Sequence, residues 1–173
     1  MIVHKGETVF RQGESGPLFR LNSGLLKIVR VHADGRPLLV NIITPGETIP
    51  HHSLLTPAPY YGTAIALITS EIEVLPAAEW YAGLASSPDQ YRVIALQLQD
   101  KLRMMQQRID QLTELLPEQK LNKTLRWFET YIGTAELSDV LTQDEIGQFI
   151  GIRRETVNRL LRAQRAAAGP KNS

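Results

Sequence analysis

Between Gln143 and Arg162 the chain reads QDEIGQFIGIRRETVNRLLR, and its two glycines leave few ways to fold that stretch. Gly151 has no Cβ and takes a positive φ at little cost, so the backbone can reverse there. Gly147, set between the apolar positions Ile146 and Ile150, lets a second helix press close. After the turn, Ile152, Val157 and Leu160 face inward. Arg154, Glu155, Asn158, Arg159 and Arg162 are left as one polar ridge on a 3.6-residue period. Thr142-Gln143-Asp144-Glu145 forms a capping box that starts the first helix. In front of the second helix Arg153 stands where serine or threonine is usual. Beyond Arg165 the sequence AAAGPKNS reads as a short helical tail ended by Gly169-Pro170.

Two helices joined this way make a helix-turn-helix, and its ridge has the chemistry to read a duplex. Arginine and asparagine can pair with base edges in a major groove, and glutamate can accept from cytosine. Arg154, Glu155, Asn158 and Arg159 are therefore the expected base-reading residues. Arg153 and Arg162 are expected on phosphates, where contacts position without reading sequence. An ordinary helical hairpin with a solvated basic face is the plainer alternative, and it leaves the matched packing positions unexplained.

Charge is distributed to match. The whole chain is close to neutral, with 19 Lys and Arg against 18 Asp and Glu. Residues 1–90 carry six basic and eight acidic side chains (−2), whereas residues 142–173 carry six and three (+3). A polyanion is attracted to the second segment, though so small an excess makes affinity rest on geometry and on pairing two modules. Apolar residues make up 43% of the chain, as in globular proteins. There is no bilayer-spanning apolar run and no signal-peptide pattern at MIVHKGE. With no cysteine, disulfides, cysteine-held clusters and thiol sensing are excluded from this sequence. A cytoplasmic location is expected.

Residues 1 to about 77 read as β structure. The expected strands are Thr8–Phe10, Leu18–Leu21, Leu25–Val31, Leu38–Ile43, Ala64–Ile68 and Ile72–Leu75, separated by glycine and proline turns. Asp34-Gly35 is the best hairpin signal. Short strands at such intervals point to an antiparallel barrel or jelly roll with room for one small ligand. Residues 89–116 differ. Tyr91, Ala95, Leu98, Leu102, Met105, Ile109, Leu112 and Leu116 alternate at steps of four and three, an a/d seam that predicts a dimerising coiled coil. The competing arrangement packs that stripe on the chain's own barrel. A helix of about 40 Å, at 1.5 Å per residue, is too long for one small barrel to cover. Pro117 breaks or kinks it. A further helix over Lys120–Ile132 contributes Leu121, Leu125, Trp127, Phe128 and Tyr131 to a small C-terminal core, and Gly133–Asp139 is the connecting loop.

This order of parts resembles the Crp/Fnr family of bacterial transcription regulators. GETVFRQGESGPLFRLNSGLLKI is similar to the family's opening strands, with Gly6, Gly13 and Gly24 at its glycines. LTQDEIGQFIGIRRETVNRLL is similar to its DNA-binding signature, above all at Glu145-Ile146-Gly147 and Arg154-Glu155-Thr156-Val157. The resemblance spans about residues 4–165. It implies an α+β protein: an N-terminal antiparallel β jelly-roll barrel of the cyclic-nucleotide-binding type (1–88), a coiled-coil dimerisation helix (89–116) and a helix-turn-helix domain (117–173). It implies a homodimer on double-stranded DNA, with RNA polymerase as a partner and an inverted repeat as the target. Arg154, Glu155 and Arg159 would read bases, and Thr142, Gln143 and Thr156 would join the phosphate contacts.

Two departures stand out. The family continues past its recognition helix into a β-hairpin wing, so the expected domain has a truncated or absent wing; the helix that commonly precedes the barrel is also missing. Members that bind a cyclic nucleotide use Gly-Glu for the ribose and Arg-Ser for the cyclic phosphate. Pro50-His51 and Gly62-Thr63 stand there instead, which disfavours cyclic AMP and cyclic GMP, because the phosphate loses a charge-assisted partner. The expected ligand pocket is His51, His52, Ser53, Gly62 and Thr63, with no cofactor and no catalytic residue. Two alternatives remain. One is a regulator with weak or lost DNA binding that acts through a protein partner. The other is a metal-dependent, cupin-like enzyme using His51 and His52, which a regular strand would point to opposite faces.

Overall fold

In the computed structural model, which describes residues 1–133 and 136–167, the first unit is a barrel of two antiparallel four-stranded sheets. Strands β1 (Ile2–Val3), β2 (Thr8–Phe10), β3 (Leu18–Ser23), β4 (Leu26–Val31), β5 (Pro37–Ile43), β6 (Thr48–Ile49), β7 (Thr63–Ala66) and β8 (Ser70–Leu75) build it. One sheet has the order β1-β8-β3-β6 and the other β2-β7-β4-β5. Alternation drives this packing: along β8, Ser70 and Ile72 are buried while Glu71 and Glu73 face water. Phe10, Phe19, Leu21, Leu26, Ile43, Ile49, Tyr60 and Ile72 close the core between the sheets. Asp34-Gly35 turns β4 into β5, with the His32 amide donating to Arg36 O at 3.0 Å.

Three elements of this unit escaped the sequence reading. Strands β1 and β6 have two residues each, too short to show a period. Helix α1 (Ala77–Ser86) buries only Trp80 and Leu84, one turn apart. The strand expected over Ala64–Ile68 runs instead over Thr63–Ala66.

The long helix α2 spans Pro88–Thr113. Toward the barrel it turns Ile94, which joins Leu18, Leu54, Trp80 and Leu84, and also Lys101 and Met104. Of the heptad stripe, Leu98 packs half-buried against that cluster, whereas Tyr91 and Leu102 are exposed. Leu116, expected as the last seam position, lies beyond the helix. It is the extended N-cap of α3 (Pro117–Tyr131), because the residue before a proline is driven out of the helical region. Pro117 thus opens a helix rather than kinking one.

The chain divides into units 1–104 and 105–173, the boundary falling inside α2. In the second unit α3 is followed by α4 (Leu137–Val140), α5 (Gln143–Ile150) and α6 (Arg154–Ala167). α4 occupies part of the segment read as a loop over Gly133–Asp139, and residues 134 and 135 of that segment lie outside the described residues, as does the expected stop at Gly169-Pro170. No described helix is long and apolar enough to cross a membrane.

Candidate nucleic-acid interface and barrel cavity

The helix-turn-helix is held by contacts that the two glycines make possible. Gly151 has φ 70°, and the amides of Gly151 and Ile152 both donate to Gly147 O, closing the first helix. A Cβ at Gly147 would lie 2.7 Å from Ile152 O, closer than such atoms come, so the close crossing needs glycine. At the other end of α5 the capping box forms: Glu145 N donates to Thr142 Oγ1 at 3.2 Å and Thr142 N to Glu145 Oε2 at 2.8 Å. Ile146, Phe149, Ile150 and Val157 are buried with Leu121, Trp127 and Phe128 of α3.

Phe149 was not singled out in the sequence, yet it organises the core of this unit. Trp127 packs on one side of it, at 5.3 Å between centroids, and the Arg108 guanidinium of α2 lies 3.5 Å from its centroid. Arg108 is only 4% exposed, and burial pulls its pKa down to about 9, which leaves it cationic at neutral pH. A cation held on an aromatic face in a dry setting is favourable by about 2 kcal/mol.

On the outer side of α6, Arg153 (just ahead of it), Arg154, Glu155, Arg159 and Arg162 are exposed. Among the described residues their side chains enter no hydrogen bond or ion pair within the chain. Asn158 differs, being half-buried with its Nδ2 donating to Gln143 Oε1 at 2.8 Å. That bond ties the start of α5 to α6 and occupies part of the amide expected to read bases. The Thr142 hydroxyl is engaged by Glu145, and Thr156 is half-buried.

The barrel contains a cavity of about 300 Å³. Phe10, Ile28, Val40, Ile43 and Ile49 form apolar walls, and Asn41, His51, His52, Tyr61 and Gly62 complete the lining. Of the expected pocket residues, His51, His52 and Gly62 meet here. Ser53 lines a neighbouring cleft, with its hydroxyl donating to Ala58 O, and Thr63 accepts from Gln12 N. His51 and His52 sit in a 3₁₀ turn (His51–Ser53) rather than a strand, so both reach one cavity and the opposite-face expectation fails. His52 Nε2 is 2.9 Å from Pro59 O. No group of three or more His, Asp or Glu among the described residues is placed to hold a metal ion.

Behind His51 lies a buried charged group that the sequence reading missed. Glu47 Oε2 is 2.9 Å from His51 Nε2 and 2.8 Å from Lys101 Nζ of α2, while Oε1 accepts from Thr44 N and Oγ1. Burial raises the Glu47 pKa, but His51 and Lys101 outweigh it and hold the carboxyl at about 2. Burial also pulls Lys101 below its ordinary range against the pull of Glu47, so the pair is worth less than the carboxylate alone suggests. Gln97 adds a second tie, its side chain bonding both the amide and the carbonyl of Thr48. Nothing in local pattern marks Glu47 and Lys101 as partners; only folding brings them together.

A β-barrel with a cavity, a long helix and a helix-turn-helix thus follow one another along the chain. Residues 2–87 match the cyclic nucleotide-binding domain family. The chain is 29% identical over 163 residues to a CRP-like cAMP-activated global transcriptional regulator of Mycobacterium tuberculosis, covering 91% of this chain and 73% of that protein. It is 25% identical to the regulatory protein HlyX of Actinobacillus pleuropneumoniae over 92% of this chain and 68% of HlyX. Its fold matches a CRP-family regulator from Thermus thermophilus (TM-score 0.80, 21% identity, 97% and 85% covered) and FixK2 of Bradyrhizobium japonicum (TM-score 0.82, 16% identity, 100% and 88% covered). Residues 2–87 therefore carry a cyclic nucleotide-binding domain, and the chain is homologous to CRP-like transcription regulators and shares its fold with Crp/Fnr structures.

Proposed function

We propose that this regulator binds double-stranded DNA as a homodimer and reads an inverted repeat through α6, with a signal in the barrel adjusting the pair of readers and RNA polymerase as its partner at promoters. The observation that carries the reading is the outer row of α6: Arg154, Glu155, Arg159 and Arg162 are exposed and unengaged, on a helix seated against Gly147. Arg154, Glu155 and Arg159 read bases, Arg153 and Arg162 hold phosphate, and Asn158 reads only by giving up its bond to Gln143. Dimerisation uses the seam of Tyr91, Leu98, Leu102, Met105, Ile109 and Leu112.

The signal is not a cyclic nucleotide. Gly62 has no side chain to pair with a phosphate, and His51 stands where a ribose-binding carboxylate would be, already engaged by Glu47. His51 lines the cavity and touches Glu47, which holds Lys101 of α2, so a ligand meeting His51 bears on the anchor of the dimer helix. Cyclic AMP activation belongs, by name, to the Mycobacterium relative.

Selection of bound DNA from a random pool tests the reading. The expected product is an inverted repeat with half-sites about 10 base pairs apart, one helical turn. Arg159→Ala should cost roughly 1–3 kcal/mol at particular positions, whereas Arg153→Ala should weaken all sequences alike and lower the salt slope by about one. No enrichment at low salt overturns the proposal.

A further inference from the structure

We infer that the barrel cavity receives an uncharged, largely apolar small molecule that carries one hydrogen-bond acceptor for Asn41. This deepens the signal reading above and rests on it. The cavity's volume of about 300 Å³ lies at the lower end of small-molecule sites, about 300–1,000 Å³. Its walls are Phe10, Ile28, Val40, Ile43 and Ile49, and no Lys, Arg, Asp or Glu is among the lining residues.

Two charged groups lie close to the cavity without lining it, and only the first is ion-paired; the Nε of the second is buried without a hydrogen bond. Glu47, behind His51, is held by Lys101 and Thr44, and the Arg30 guanidinium lies 4.0 Å from the centroid of the Tyr61 ring. An ion entering here would be stripped of water with no Lys, Arg, Asp or Glu on the walls to pair with it, the costly case. An apolar molecule gains by the same exchange.

Asn41 offers the cavity a hydrogen-bond donor. Asn41 is buried, and its Oδ1 accepts from the Ile42 amide at 2.9 Å, which fixes which end of the side chain is nitrogen. Among the described residues Nδ2 donates to nothing in the chain, and Asn41 lines the cavity. A donor left unmade on the cavity wall is one that an incoming carbonyl, ether or hydroxyl oxygen would satisfy. Glycine at 62 keeps that space open: a Cβ there would meet Ile28 Cγ2 at 2.8 Å.

The test uses the full chain without DNA and a neutral naphthalene carrying one ketone, propionyl-dimethylaminonaphthalene, whose emission shifts blue in apolar surroundings. Saturable blue-shifted binding is expected, at least about tenfold tighter than that of the anionic anilinonaphthalene sulfonate. Asn41→Leu, which removes the donor at similar volume, should weaken it about two- to tenfold. Val40→Phe, which fills the cavity from a half-buried position, should abolish it, with circular dichroism confirming that both variants are folded. Equal or tighter binding of the sulfonate overturns the inference. So does undiminished binding in Val40→Phe, which would put the probe on the exposed helix seam. No DNA enters this assay, so failure of the selection experiment leaves it standing, and failure here leaves DNA reading intact.

Discussion

The two faces of α2 depart from what is expected of a helix on a globular protein, for beside the apolar Ile94 and Met104 the buried face carries charges. The face turned inward holds Lys101, 8% exposed, in the barrel unit, and Arg108 and Gln111, each 4% exposed, in the second unit. The face turned outward holds Leu102 and Ile109, 59% and 58% exposed. A helix normally buries its apolar stripe and wets its charges. The inward charges are tolerable because each has a specific partner: Glu47 for Lys101, and the Phe149 ring for Arg108. Among the described residues Leu102 and Ile109 are left largely uncovered by their own chain. A heptad left open in this way is what a second copy would cover, and so the comparison supports the dimer proposed above.

The sharpest way to break that contrast is to charge the outward face. Leu102→Lys should turn the dimer into a monomer by light scattering, with loss of DNA binding, because a buried unpaired charge costs several kcal/mol. The monomer should nevertheless stay folded, since Leu102 has little to lose within its own chain. A dimer that survives would move the seam elsewhere.

Next comes the inward face. Lys101→Met keeps the length of the side chain but leaves Glu47 with His51 and Thr44 alone. A loss of roughly 2–4 kcal/mol in denaturant unfolding is expected, as for removing one partner of a buried pair. An unchanged midpoint would mean that packing, not charge, holds this face.

A smaller effect is the acid limb. Glu47 is held at about 2, below its ordinary 4.5, so below about pH 4.5 the unfolded chain takes up a proton that the folded barrel refuses. Stability contributed by Glu47 is present above that pH and is lost as pH falls towards 2. Glu47→Gln should lower stability at pH 7 and flatten the decline between pH 4.5 and 3. An equally steep decline in the variant would assign the acid sensitivity to other carboxylates. Smallest of all, Asp100→Asn removes an exposed pair with Arg103 and should leave both the dimer and unfolding unchanged within error.

Local rules were enough wherever the constraint is local. The capping box at Thr142, the positive φ of Gly151, the close crossing at Gly147, the Asp34-Gly35 hairpin and the heptad period all depend on residues a few positions apart, and all were legible in the chain. So was the outer row of α6, because it is what a 3.6-residue period leaves over once Val157 and Leu160 face inward. Tertiary structure decided the rest. His51 and His52 reach one cavity because Pro50 opens a 3₁₀ turn where a strand was assumed. Asn158 is drawn to Gln143 by the crossing of two helices. Glu47, Lys101 and Phe149 carry no short-range signature, since their partners lie 54 residues away in the case of Lys101 and Glu47 and on separate helices in the case of Phe149. Burial, and with it the shift in their titration, exists only when distant segments have excluded water together.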